Sequence, residues 1–118
     1  MKPFQIALIY LLIFIAPPGF VIAGAHDVVT DHKRVSGVCD QCKNRIENAA
    51  YYNKGVKVAD WNADTQELTI KYDTTKTNID KILRSIAKAG HDNELYKATD
   101  EDYNSIPKCC RYRTVKKH

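Results

Sequence analysis

Between residues 30 and 96 the spacing of apolar residues alternates between the strand and helix periods, and few folds accept that order. From 41 to 51, Cys42, Ile46, Ala49 and Ala50 form one apolar helical stripe, with Lys43, Arg45, Glu47 and Asn48 on the face expected to meet water. Asp40 is expected to cap this helix, and Asn53-Lys54-Gly55 ends it. Residues 56–61 and 68–72 then alternate apolar and polar with period two around the turn-rich stretch 62–67, which predicts a β-hairpin. A second helix follows, with Thr77 as its cap, Asp80 at the third helical position, and Ile79, Ile82, Leu83, Ile86 and Ala87 as its buried face. Gly90 terminates it. Short strands are expected at 30–36 and 92–96.

The order is therefore β-α-β-β-α-β. Two short amphipathic helices cannot satisfy each other and also cover four half-buried strands. Laying both on one face of a four-stranded antiparallel sheet solves this, giving an α+β, ferredoxin-like sandwich. The domain is expected over 26–97, with 98–118 a polar, irregular tail carrying Cys109 and Cys110 beyond Pro107.

Residues 1–25 read as an export signal. Lys2 gives a positive start, and 4–16 is an apolar run shorter than the roughly 20 residues a membrane span needs. Pro17-Pro18-Gly19 breaks the run, and Ala23-Gly24-Ala25 offers a small-residue cleavage site after Ala25. The expected product is an exported, periplasmic or secreted monomer with no stable membrane insertion after cleavage. The formal net charge of +4 is spread over scattered lysines and a terminal basic group, Lys108, Arg111, Arg113, Lys116 and Lys117, expected to be a solvated tail. No aromatic and basic residues interleave as in nucleic-acid binders, so no nucleic-acid partner is expected.

Chemistry concentrates in the cysteines. Cys39 and Cys42 are three residues apart, one in a loop and one in the first helical turn, so their thiols converge. The helix amino terminus favours the thiolate, and Cys-x-x-Cys thiols reach pKa values of about 7 or lower. Soft sulfur selects Cu(I), Zn and iron–sulfur clusters over Ca and Mg. Two thiolates fall short of the four ligands of structural zinc but suit near-linear Cu(I), and a site with few ligands permits handover.

Val35-Ser36-Gly37-Val38-Cys39-Asp40-Gln41-Cys42-Lys43-Asn44-Arg45-Ile46-Glu47-Asn48-Ala49, with Gly55-Val56, Lys71-Tyr72-Asp73 and Ala89-Gly90-His91, resembles the heavy-metal-associated domain family. That family includes copper chaperones, metal-binding domains of copper-exporting ATPases and an exported mercuric-ion scavenger. The resemblance covers roughly residues 30–96. It implies a ferredoxin-like fold, a metal held by Cys39 and Cys42, and no enzymatic activity. Cu(I) is the leading cargo, with Zn(II) and Hg(II) as alternatives; a membrane metal transporter or another metal-binding domain is the implied partner. The family's usual motif is Gly-Met-x-Cys-x-x-Cys. Here Gly37-Val38-Cys39 is one residue shorter and lacks the Met, which implies a tighter loop.

His91 occupies a position often aromatic, sometimes basic, in the family. The fold would bring it beside the Cys-x-x-Cys loop, as a third ligand or a group whose protonation favours release. Cys109 and Cys110 have three readings: further thiolates folding over the site, a disulfide, or a spare tail. His26, as a new amino terminus, has the groups to chelate Cu(II); His32 and His118 are expected to face solvent. Two rival functions remain. One is a small disulfide-stabilised interaction domain; the other is a thiol–disulfide oxidoreductase, against which stand the shortness of the chain and the lack of an aromatic before Cys39.

Overall fold

The computed structural model describes residues 27–114; the expected export segment 1–25, together with His26, Lys116, Lys117 and His118, lies outside the described residues. Strands β1 (Val28–Arg34), β2 (Val56–Asn62) and β3 (Glu67–Asp73) form an antiparallel sheet in the order β1-β3-β2. The strand period sets the inner face. Register places Ala59 opposite Ile70 and Trp61 opposite Leu68, and all four are buried with Tyr72. Helix α1 (Asp40–Tyr51) and helix α2 (Ile79–Lys88) deliver Ile46, Ala50, Ile82, Leu83 and Ile86 into the same core. The helices and the hairpin therefore form where the apolar periods place them.

β1 is different. Its residues opposite the core positions of β3 are Val29, Asp31 and Lys33, a weakly apolar set. Asp31 is made tolerable by accepting a 2.7 Å hydrogen bond from the Tyr72 hydroxyl. Burial, reinforced by that carboxylate, pushes the Tyr72 phenol up to about 12.

Four expectations need correction. The fourth strand at 92–96 is reduced to one isolated bridge, Val35 to Asn93, leaving three strands among the described residues. Asn93 is the reason: its side-chain oxygen takes the N–H groups of Leu95 and Tyr96, and its own N–H bonds the Tyr96 carbonyl. Pairing with the end of β1 therefore stops at the two bonds of this bridge, Ser36 N–H to the Asp92 carbonyl and Glu94 N–H to the Arg34 carbonyl, where the turn begins. The caps are also shifted. Cys39 is the N-cap of α1 and makes no side-chain cap bond, with Asp40 inside the first turn. Asn78, not Thr77, caps α2 by accepting from the Lys81 N–H at 2.8 Å; Thr77 is buried.

The water-facing side of α1 is partly engaged. Lys43 bonds Glu47 (2.5 Å), Asp60 (2.8 Å) and the Trp61 carbonyl (3.0 Å), while Glu47 accepts the Trp61 N–H at 2.8 Å. Arg45 donates to the Ala89 carbonyl at the end of α2. These bonds tie the cysteine end of α1 to β2 and to α2.

Finally, the tail is not irregular. Thr99 accepts the Asp102 N–H and starts a one-turn helix α3 (Asp100–Asn104), followed by 3-10 turns at Lys108–Cys110 and Tyr112–Thr114. Tyr103, Ile106, Cys110 and Tyr112 are buried in the main core. Arg111 and Arg113 are consequently drawn out of the expected solvated cluster. Ile106 meets α2 at Gly90, whose φ of 104° suits glycine, and a Cβ there would lie 2.3 Å from the Ile106 side chain. Because Ile106 is 2% exposed, Ile106→Ala should cost about 2–5 kcal/mol in urea or thermal unfolding. A change within about 0.5 kcal/mol, the surface range, would put this segment back in solvent.

Candidate metal centre

The loop before α1 is held rigid from three sides. The Trp61 indole N–H donates to the Val35 carbonyl at 2.9 Å, and the Ser36 N–H donates to the Asp92 carbonyl at 2.8 Å. Gln66, buried at a φ of 64°, bonds the Gly37 carbonyl with its amide nitrogen and accepts the Gly37 N–H at 3.3 Å. Gly37 is needed for close approach: a Cβ would lie 2.9 Å from the Trp61 ring and 3.0 Å from the Cys42 Cβ. Nothing in the sequence pattern singled out Gln66, and position 61 entered only as part of the alternating strand 56–61.

That loop delivers Cys39 as the extended N-cap of α1 and Cys42 into its first turn. Their Sγ atoms are 3.4 Å apart, and the Val38 N–H points at the Cys42 Sγ from 3.4 Å. Cys110 arrives from the C-terminal segment, with its Sγ 3.5 Å from that of Cys39. The sulfurs of Cys39, Cys42 and Cys110 all lie within 4.8 Å of one another. Cys109 is turned outward: it is exposed, its Sγ is 3.9 Å from that of Cys39, and it donates to the Gln41 side-chain oxygen at 3.3 Å. All four thiols are free.

The three clustered thiols differ electrostatically. Burial works against ionising Cys39. Hydrogen bonds from the Cys42 backbone and thiol, the Cys110 thiol and the Gln41 N–H outweigh it, holding Cys39 below its ordinary value. Burial pushes Cys42 up, despite the bonds it receives. Burial also pushes Cys110 far up, as does its donation to the other two sulfurs. The arrangement is one accessible nucleophilic sulfur beside two sheltered ones.

His91 is fully buried. Its Nδ1 donates to the Ser36 carbonyl at 2.8 Å, so the turn after α2 does sit beside the cysteine loop. The ring stacks on Tyr112 at 5.4 Å, its Nε2 has no partner among the described residues, and it is outside the three-thiol group. Burial holds the imidazole below its ordinary value. His32, the other described histidine, is exposed and bonds Thr69 on β3.

The C-terminal segment docks through contacts that sequence reasoning missed. The Tyr112 hydroxyl donates to the Gly90 carbonyl (2.7 Å) and accepts the Asp92 N–H (2.8 Å). Arg113 grips both carboxylate oxygens of Asp92, at 2.8 and 3.1 Å, and donates to the Ala98 carbonyl. Its guanidinium lies 4.2 Å from the Tyr103 ring centroid. The available signal was the run of apolar side chains at 103, 106, 110 and 112 within an otherwise polar stretch.

Residues 34–92 match the profile of the heavy-metal-associated domain. Over 63 residues the chain is 35% identical to a copper-exporting P-type ATPase of Staphylococcus saprophyticus, covering 53% of this chain and 8% of the ATPase. It is 28% identical over 54 residues to the copper chaperone CopZ of Staphylococcus haemolyticus, covering 46% of this chain and 79% of the chaperone. A solved CopZ metallochaperone structure superposes with a TM-score of 0.53 at 27% identity, over 55% of this chain and 98% of that one. The chain thus spans 8% or less of the length of the ATPases it matches.

Two outcomes follow from this geometry. With a soluble alkylating agent and peptide mapping, Cys39 should react with a pH midpoint below that of the same thiol after denaturation. Cys42 and Cys110 should stay protected until denaturant is added, and equal reaction at all four would refute the packing. Second, a histidine held neutral by burial stabilises the fold fully above its unfolded pKa of about 6.5, and that contribution fades as pH falls below it. Urea midpoints should therefore drop between pH 7.5 and 5, and His91→Gln should flatten that drop.

Proposed function

Because the chain belongs to the heavy-metal-associated domain family, we propose that it binds a soft metal ion, Cu(I) foremost, between Cys39 and Cys42 and passes it on without catalysing a reaction. The observation that carries this reading is the pair of free thiols 3.4 Å apart at the start of α1, one accessible and one buried. Two converging sulfurs satisfy a soft ion of low coordination number, whereas Zn(II) in structural sites takes four ligands. Hg(II) shares the preference for sulfur, so the choice between them rests on measured affinity. The accessible Cys39 gives an incoming thiolate a point of attack, allowing a new bond to form before an old one breaks. Transport proteins are the natural partners for such exchange, in keeping with the copper-exporting ATPases and the copper chaperone among the relatives. The leading segment 1–25 supports action outside the cytoplasm after cleavage behind Ala25. There the Cys39–Cys42 pair has to be reduced or already loaded, since a disulfide offers Cu(I) no thiolate.

An anaerobic titration of the reduced chain with Cu(I) against a chromogenic chelator tests this. One tightly held ion per chain is expected, with a rise in unfolding free energy of about 4 kcal/mol at a thousandfold excess over Kd. Cys39→Ser should remove most of that rise. An unchanged metal-dependent melting shift in this variant would exclude the pair as the site.

A further inference from the structure

We infer that Cys110 is a third thiolate for the same ion, and that the docked C-terminal segment is a latch that must lift before the cargo leaves. This rests on the two-cysteine reading above and adds to it a coordination number and a gate. A buried cysteine is usually a small apolar core residue. Cys110 is fully buried, but its sulfur is directed at other sulfurs: 3.5 Å from Cys39, and grouped with Cys42 inside 4.8 Å. Sulfur–metal bonds of about 2.3 Å in a trigonal plane place the sulfurs about 4 Å apart. Two of the spacings, 3.4 and 3.5 Å, fall short of that value and the third is within 4.8 Å, so small movements of the sulfurs admit an ion. Each thiol gives up its proton to solvent as its bond to the metal forms.

The other two candidates for a third ligand are placed differently. Cys109, next in sequence, has its sulfur 3.9 Å from that of Cys39, but it is exposed, gives its thiol to Gln41 and lies outside the group of three mutually close sulfurs. His91 spends Nδ1 on the Ser36 carbonyl and packs its ring against Tyr112. Only Cys110 is presented by the fold to the Cys39–Cys42 pair with its thiol sheltered from water.

Its position is imposed by docking. The Cys110 N–H closes the 3-10 turn onto the Pro107 carbonyl at 2.8 Å. Upstream, Ile106 fits against Gly90. Downstream, Tyr112 bridges Gly90 and Asp92, and Arg113 clamps Asp92 in a pair whose side chains are each 23% exposed. Wedged between these anchors, Cys110 cannot leave the thiol cluster unless the segment lifts. A third bond slows escape of the ion while the segment is down. Lifting it returns the site to two thiolates, with Cys39 open to an acceptor. Arg113 acts here as a positioning residue: it touches no sulfur and holds the turn that carries one.

The test loads the full reduced chain anaerobically with one equivalent of Cu(I) and measures the sulfur coordination number by X-ray absorption. Three sulfurs are expected for the wild type and for Cys109→Ser, and two for Cys110→Ser. Chelator competition should show Cys110→Ser weakened by at least about tenfold, the lower end of losses from outer-shell changes alone. Arg113→Ala retains every thiol, so it should keep its stoichiometry yet release Cu(I) to excess glutathione about tenfold faster. Two sulfurs in the wild type would overturn the third-ligand assignment without depending on whether any variant folds. Wild-type affinity in Cys110→Ser, with binding lost in Cys39→Ser, would also overturn it while leaving the two-cysteine site intact. Release from Arg113→Ala at the wild-type rate would remove the latch, and failure of the wild type to bind Cu(I) would remove both readings.

Discussion

The turn that follows α2 fastens both cysteine-bearing segments to one point. On one side it holds the loop before α1, since the Asp92 carbonyl takes the Ser36 N–H and the His91 ring donates back to the Ser36 carbonyl. On the other it holds the C-terminal segment, through Tyr112 on Gly90 and Asp92 and through Arg113 on the Asp92 carboxylate. A turn loaded this way needs an unusual backbone, and Gly90 at a φ of 104° supplies it. The loss of the fourth strand belongs to the same account. The Asp92 carbonyl and the Glu94 N–H still pair with Ser36 and Arg34 as a single bridge, while the N–H groups of Asp92 and Asn93 are spent on Tyr112 and Tyr96. Sheet regularity has been exchanged for a junction that sets where the sulfurs meet.

Electrostatics at that meeting point sets the conditions for cargo. Three neutral thiols fit together because each can give or accept a weak hydrogen bond, as the contacts of 3.4 and 3.5 Å around Cys39 show. Three thiolates without a cation would repel strongly in so buried a place. Only Cys39 is held below its ordinary value, while burial pushes Cys42 and Cys110 up. A positive ion is what would let the sheltered pair ionise. Such a site favours ions that bind sulfur strongly enough to displace protons, which suits soft cations and disfavours those that prefer oxygen.

The readable part of this chain was the part governed by a period. Ile82, Leu83 and Ile86 declare one face of a helix whatever surrounds them, and the alternation through Ala59, Trp61, Leu68 and Ile70 declares a hairpin. The cysteine pair was legible for a similar local reason, since three-residue spacing at a helix start forces convergence. What stayed hidden depends on partners distant in sequence. Gln66 sits in an ordinary turn and gains its role from Gly37, 29 residues away. Asn93 lies in a segment expected to be a strand, and its side chain wins the local backbone groups. Arg113 looks like a tail charge until Asp92, 21 residues earlier, pairs with it.

Cys110 shows where local reading ends and topology takes over. In sequence it is one of two adjacent cysteines with nothing to separate their roles. The 3-10 turn separates them, burying Cys110 among the thiols and leaving Cys109 at the exposed rim, bonded to Gln41. The shortened loop at Gly37-Val38-Cys39 makes the same point from the opposite direction. The loop packs down on Trp61 at Gly37, and the sulfurs beside it meet another part of the chain. The C-terminal segment is that part, held by Tyr103, Ile106 and Tyr112 in the core and by the partly exposed Arg113–Asp92 pair. Of these holds, the ion pair is the one that opens at lower free energy than a core does. The division of labour is therefore physical: the apolar core fixes Cys39 and Cys42 and seats the C-terminal segment, and the Arg113–Asp92 clasp adds to how firmly Cys110 is held beside them.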